Sequence, residues 1–283
     1  MQFNRVASVI FEDVESPGLG FEVSGLRVSF DVHKTADKTP NKCKLEIYNL
    51  SEATRNKIRK NQKVILKVGY SDGAKPKIIF IGNISIYNHA KKHPEIITTI
   101  DADDGLKGQS ESRVTLSHGP GAKASTILKQ IVKTFPFSDE LNKINLPDVE
   151  YPEGFAFSGP SRFALEKVLK KMGMEWSVQN DLLKIIYEGG TDSSKAVVLK
   201  AETGLIGSPE RLTSDTRKAK GKDKTVKPGW RFEALINPEI NPNGRVSVTS
   251  EQIPENTIFK VVSVQHSGDT HGDNWNSTIE VIE

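Results

Sequence analysis

The feature that most constrains this 283-residue chain is the run of alternation between Lys44 and Asp104. Leu45 and Ile47 alternate with Lys44, Glu46 and Tyr48, and Val64, Leu66, Val68 and Tyr70 recur at period two with Lys63 and Lys67 between them. Successive side chains on a strand point to opposite faces, so each run predicts a strand with one buried face. Between the runs, Ser51 has the hydroxyl of a helix N-cap, and Glu52 suits the positive end of a short polar helix over residues 52–60. Ser71-Asp72-Gly73 marks a turn. Residues 77–87 then predict a long strand, with residues 96–101 folding back on it across a loop at 89–94. The expected result is a small antiparallel sheet, closed or nearly closed into a barrel, with one helix at a corner.

Upstream, residues 3–14 and 21–32 read as two strands, with Gly25 as a bulge in the second. Residues 33–42 are polar, contain Pro40 and read as a mobile loop. After Gly105 the pattern changes. Ile127, Leu128, Ile131, Val132 and Phe135 are spaced for a helix that Pro136 stops, and Leu165, Val168, Leu169 and Met172 for another that Gly173 ends. A hairpin over residues 174–187 turns at 179–181. Strands return at residues 196–199, from Trp230 to Ile236, around Val246 and Val248, and at 259–265 and 276–282. The chain therefore divides into residues 1–107 (β), 108–190 (α+β) and 191–283 (β). Residues 81–102, "IGNISIYNH" and "ITTIDA", also resemble residues 259–281, "FKVVSVQH" and "NSTIEV". Such a repeat implies two related β domains flanking a smaller one.

Composition excludes several classes. With 27% charged and 36% hydrophobic residues the chain is neither disordered nor membrane-like. No apolar run reaches the roughly 18 residues of a membrane span, and the first residues do not lead into a signal-peptide core. The single cysteine, Cys43, rules out an intrachain disulfide and two-cysteine zinc motifs. A formal net charge of +3 is too small to imply nucleic-acid binding.

Four constellations have the residue types of functional sites. His266, Asp269, His271 and Asp273 offer metal-ligating groups, but on what reads as a polar hairpin loop without rigid register. Asp101, Asp103 and Asp104 offer paired carboxylates, which a strand end closed by Asp104-Gly105 explains more simply. Gly119 to Ser125 lacks the phosphate-loop spacing. Residues 213–228, with Arg217, Lys218, Lys220, Lys222, Lys224 and Lys227, read as a solvated basic loop that is mobile in the free subunit. No nucleophile motif is present. The expectation is no catalytic, cofactor-binding or metal residue, no cofactor and no enzyme. The competing readings are a cell-wall hydrolase and a nucleic-acid-binding β-barrel. The first lacks a carboxylate or metal set. The second lacks aromatic–basic interleaving, with only 7% aromatic residues.

The stretches "LEIYNLSEATRNKI", "VILKVGYSDG", "IFIGNIS" and "TTIDADDG" resemble the first domain of bacteriophage tail hub proteins. That family includes contractile-tail baseplate hubs and late-control-D-like tail proteins. "SRFALEKVLKKMGMEWSVQNDLLKI" resembles the family's middle unit. "TGLIGSPERL", "GWRFEALINPEINPNGRVSVTSE" and "FKVVSVQHSGDTHGDNWNSTIEVIE" resemble its second barrel. His266, Gly268, Asp269 and Trp275 fall on that barrel's H-x-G-D…W pattern, as turn and packing residues. The resemblance implies two antiparallel tube-type β-barrels flanking a small α+β domain. It also implies a homotrimeric, pseudo-sixfold ring joining the hexameric tail tube protein to a trimeric spike protein, among other baseplate proteins. It implies no membrane partner and no specific nucleic-acid partner, with phage DNA passing through the ring. The protein would be a virion component assembled in the host cytoplasm. Ring contacts are expected from sheet edges at residues 77–87 or 259–265. The sequence stops just after the second barrel, so a further spike-binding segment of larger members is expected to be missing or supplied by another protein.

Overall fold

The computed structural model describes residues 4–13, 18–71, 75–192, 195–213 and 228–283. It divides into two compact units, one made of Met1–Ala36, Asn41–Asp103 and Thr191–Glu283, the other of Asp37–Pro40 and Asp104–Gly190.

The first unit is a predominantly antiparallel sheet whose main path runs Leu205–Leu212, Gly229–Leu235, Trp275–Ile282, Ile253–Asp269, Val28–Thr35, Asn41–Tyr48, Glu95–Asp104, Lys77–Lys92, Lys63–Tyr70, Arg5–Glu12, Gly20–Ser24. Arg245–Ser250 joins beside Ile253–Asp269, and Val197–Leu199 beside Arg245–Ser250. Alternation decides which face is buried. Ala7, Val9 and Phe11 face one core with Val28, Phe30, Val32, Cys43, Leu45 and Ile47. Phe232, Ala234, Val246, Val248, Phe259, Val261, Ile279 and Val281 fill a second. The path is open, and the closed barrels expected from the sequence are not found among the described residues.

Three expectations change. Residues 21–32 are not one bulged strand. The chain breaks at Gly25, in the left-handed region at φ 73°, so Gly20–Ser24 pairs with Arg5–Glu12 while Val28–Thr35 pairs with Asn41–Tyr48. Residues 33–42 are largely strand, and the connection is confined to 36–40. Residues 259–265 are not a free edge. They lie inside the sheet, between Trp275–Ile282 on one side and Arg245–Ser250 and then Val28–Thr35 on the other. Residues 77–83 pair with Lys63–Tyr70 and residues 83–92 with Glu95–Asp104; the two pairings overlap at Asn83, beyond which Lys77–Lys92 has only Glu95–Asp104 as a described partner.

The two halves of this sheet repeat one strand order. Val28–Thr35, Asn41–Tyr48, Glu95–Asp104, Lys77–Lys92, Lys63–Tyr70 and Arg5–Glu12 correspond in sequence of pairing to Leu205–Leu212, Gly229–Leu235, Trp275–Ile282, Ile253–Asp269, Arg245–Ser250 and Val197–Leu199. The last pairing differs, antiparallel in the first half and parallel in the second. The correspondence reaches single residues. A bulge falls between Ile84 and Ile86 in one half and between Val261 and Ser263 in the other, three positions before His89 and His266. His89 lies across from Thr98 and bonds its hydroxyl at 3.0 Å, and His266 lies across from Ser277 and bonds its hydroxyl at 2.7 Å. Asn61 and Asn243 both take φ 66° and enter the next strand by donating to the carbonyls of Ile84 and Val261. Asparagine tolerates the left-handed region better than most residues, which suits it to this entry.

In the second unit, Ala124–Val132 packs against Ser161–Met172, burying Ile127, Leu128, Ile131, Val132, Leu165, Val168, Leu169 and Met172. Gly173 ends the second helix at φ 66°, as the sequence predicts. The hairpin Met174–Gln179 and Leu182–Tyr187 turns on Asn180 and Asp181, both at positive φ, the geometry of a tight two-residue hairpin turn. Asp104 is wholly buried and accepts from the N–H groups of Asn180 and Asp181 at 2.6 and 3.0 Å.

Candidate functional site

The residues with the strongest claim lie where the last β segment meets the first. Ser263 to Asp269 pairs antiparallel with Ser29 to Thr35, which joins the two halves of the repeat by main-chain hydrogen bonds. His266 therefore lies in a strand, not in a loop, and is wholly buried. Burial, reinforced by the nearby Lys34 ammonium, lowers its imidazole pKa to about 3. A neutral ring sharing its Nδ1 bond with Ser277 is a packing group in this position.

Two residues on, Gly268 allows close approach. A Cβ there would sit 2.4 Å from Phe30 Cζ and 2.9 Å from Trp275 Cε3, inside any real contact. Trp275 is 3% exposed and meets Phe30 and Tyr70 edge-on at 5.5 and 6.2 Å, with the Arg5 guanidinium 5.7 Å above its ring. These edge-to-face arrangements suit the ring quadrupoles. Asp269 closes the corner. Its carboxylate accepts from Arg27 Nη2 at 2.8 Å and from the N–H groups of His271 and Gly272 at 2.9 and 3.1 Å. Burial alone would push this carboxyl up, but Arg27 and the two amides outweigh it and hold it below the usual carboxylate range. Arg27 is itself seated 4.5 Å over the Tyr48 ring.

A polar hollow of about 480 Å³ opens beside this corner, lined in part by Asp31, Lys44, Glu46, Asp269 and Asp273. Asp31 accepts from Gln265 and Ser267, both at 2.7 Å. No group of three or more metal-ligating side chains is assembled among the described residues. His266, Asp269, His271 and Asp273 are thus not brought together as a metal set.

The other candidates resolve separately. Asp101 and Asp103 lie on Glu95–Asp104, across from Ile86 and Asn83. Asp104 caps the hairpin turn described above. Between Gly119 and Ser125, the N–H groups of Gly121 and Ala124 are spent on the carbonyls of Tyr151 and Val149, so they do not form a phosphate cradle. Within the basic stretch at 213–228, residues 214–227 lie outside the described residues. Sequence reasoning missed Arg27 and Lys34. Arg27 sits at the break after Gly25, and Lys34 follows Val28, Phe30 and Val32 on the buried face of its strand, a signal the alternation carried.

This geometry is that of a packing and joining site. The family model described as baseplate hub gp41 matches residues 14–267. The chain belongs to the baseplate hub gp41 family. It is a structural component of the phage tail baseplate, hence of the virion, and not an enzyme. No curated protein matches it. Solved structures share the fold at low identity. The 43 kDa tail protein of prophage MuSo2 from Shewanella oneidensis is 11% identical, with TM-score 0.65 over 98% of each chain. A tail protein from Neisseria meningitidis MC58 is 12% identical, with TM-score 0.64 over 99% of this chain and 97% of the other. An E. coli protein, a component of the type VI secretion system with structural similarity to T4 tail proteins gp27 and gp5, is 10% identical. Its TM-score is 0.61, covering 97% of this chain and 76% of that one.

Proposed function

We propose that three copies of this hub form one pseudo-sixfold ring that adapts the hexameric tail tube to a trimeric spike. The observation that carries the reading is the duplicated strand order, down to the shared bulge and the histidine–hydroxyl pair. Two like modules per chain make six like modules from three chains, so sixfold and threefold neighbours are both matched. In this reading residues 1–107 and 191–283 act as the two tube-type barrels and residues 108–190 as a middle domain outside the repeat. The tail tube protein, the spike protein and other baseplate proteins are the partners. DNA crosses the ring without sequence recognition, and assembly takes place in the host cytoplasm. An axial reconstruction of the particle tests it. Three copies at the junction of tube and spike are expected; six copies, or a position elsewhere, reject it.

A further inference from the structure

Resting on that ring, we propose which strands close it: residues 85–92 of one copy pair antiparallel with Leu205–Leu212 of the next. Within the chain, the second half's long strand hands its C-terminal part to Val28–Thr35, the first strand of the other half. The counterpart of that long strand is Lys77–Lys92, and the counterpart of Val28–Thr35 is Leu205–Leu212. Both counterparts have one side without a strand among the described residues: Leu205–Leu212 pairs only with Gly229–Leu235, and Lys77–Lys92 beyond its bulge only with Glu95–Asp104. The in-chain junction thus leaves the two halves of an identical junction open at opposite ends of the repeat. A heterologous contact of this kind is what a closed ring requires, and an unpaired edge supplies its hydrogen bonds.

Burial agrees. Val264 and His266 are wholly covered where Val28–Thr35 lies beside them, whereas their counterparts Tyr87 and His89 are only half-buried. Ile86 is 64% exposed on the one edge and Ile206 39% on the other, large apolar groups that a neighbouring strand would cover.

The register follows from the same correspondence. Asp31 lies across from Lys44 in its half and Glu210 across from Arg231 in the other, each an acid beside a base. In the chain Asp31 faces Ser267 and accepts from Gln265 and Ser267. The matching positions are Ala90 for Ser267 and Asn88 for Gln265, counted from His89 and His266. Ala90 then lies opposite Glu210 of the next copy, and the Asn88 amide donates to the Glu210 carboxylate.

The test is disulfide trapping in particles assembled with Ala90→Cys combined with Glu210→Cys. Directly opposed strand residues have the spacing a disulfide needs, and the single natural cysteine, Cys43, is buried. Mild oxidation is expected to convert monomer to dimer and trimer bands in the double variant, while each single variant stays monomeric. Asn88→Cys or Lys92→Cys with Glu210→Cys, the two-residue slips, should trap several-fold less. A slipped pair trapping best overturns the register. A threefold ring whose side-chain-resolved reconstruction keeps residues 85–92 away from Leu205–Leu212 overturns the inference and leaves the ring standing. A particle with no threefold ring at the junction removes the proposed function itself.

Discussion

Lys34 donates from Nζ to Asn241 Oδ1 at 3.0 Å, from a side chain that is wholly buried. The lysine comes from Val28–Thr35 and the asparagine from the turn before Arg245–Ser250, so the bond ties the first and last β segments together. Losing one acceptor removes part of the bonding that offsets the desolvation of a buried ammonium. Asn241→Leu is expected to lower unfolding stability by about 1–3 kcal/mol. Lys34→Met, which removes the charge and fills similar volume, should cost less. Urea unfolding of both variants and the double variant checks this; a double variant no better than the sum of the two losses contradicts the coupling.

Arg27 and Asp269 form a bidentate guanidinium–carboxylate pair at the corner's turn, and its pH dependence has a fixed sign. The folded Asp269 carboxyl titrates below its unfolded value, so its stabilisation is full above the unfolded pKa of about 3.9 and is lost as pH falls through the folded value. Arg27 is 38% exposed, so solvent screening weakens the pair. Asp269→Asn should lose stability at pH 7, with a smaller difference from the parent protein at pH 2. A loss that is the same at both pH values would place the effect in packing instead.

Gly268 faces Phe30 and Trp275 with no room for a methyl group. Gly268→Ala must move two aromatic rings or the strand pairing at the join, and overpacking of this kind costs typically about 1–3 kcal/mol. The prediction is a loss of unfolding stability in that range, read from urea unfolding. As a control, Gly121→Ala, where nothing lies within 4 Å but φ is 79°, tests backbone strain alone. A neutral Gly268→Ala variant contradicts the close packing.

Strand existence was legible because Val64, Leu66 and Val68 or Phe232 and Ala234 keep strict period two, and burial follows it. Both helix stripes were legible for the matching reason at the helical period. Strand limits were not. Residues 89–92 and 266–269 are mostly polar, yet main-chain pairing extends through them. Helix length failed at residues 52–60 because Ser51 caps only a four-residue helix, with no buried stripe to extend it. Pairing between distant strands leaves no local trace. That is why residues 259–265, flanked by polar segments, read as an edge while Val28–Thr35 covers them. The H-x-G-D…W positions were legible as packing residues, but their partners Arg27 and Phe30 lie more than 230 positions away.

A structural hub should be inert toward the cell wall. Purified protein incubated with peptidoglycan is expected to release no soluble fragments. Release that disappears in Asp101→Asn, Asp103→Asn or Asp104→Asn variants would contradict the assignment.

His266 gives the last prediction, an acid sensitivity written into the join itself. Its ring is wholly buried and neutral in the folded chain, with a pKa lowered to about 3 by burial and by the Lys34 charge. In the unfolded chain the same ring titrates near 6.5. Between these values the unfolded state binds a proton that the folded state refuses. The His266 contribution is therefore full above pH 6.5 and is lost as pH falls toward 3, at up to about 1.4 kcal/mol per pH unit. At pH 5 that amounts to roughly 2 kcal/mol. His266→Gln keeps a polar group beside Ser277 but cannot take up the proton, so its stability should change less between pH 7 and pH 4. Comparing urea midpoints of the two proteins across that range isolates the term, because every other titrating group is shared. Nuclear magnetic resonance supplies the independent check: the His266 ring signals should hold their neutral shifts down to pH 4. A ring that titrates near pH 6.5 in the folded protein would mean that water reaches the join, and the buried arrangement of His266, Lys34 and Ser277 would have to be abandoned.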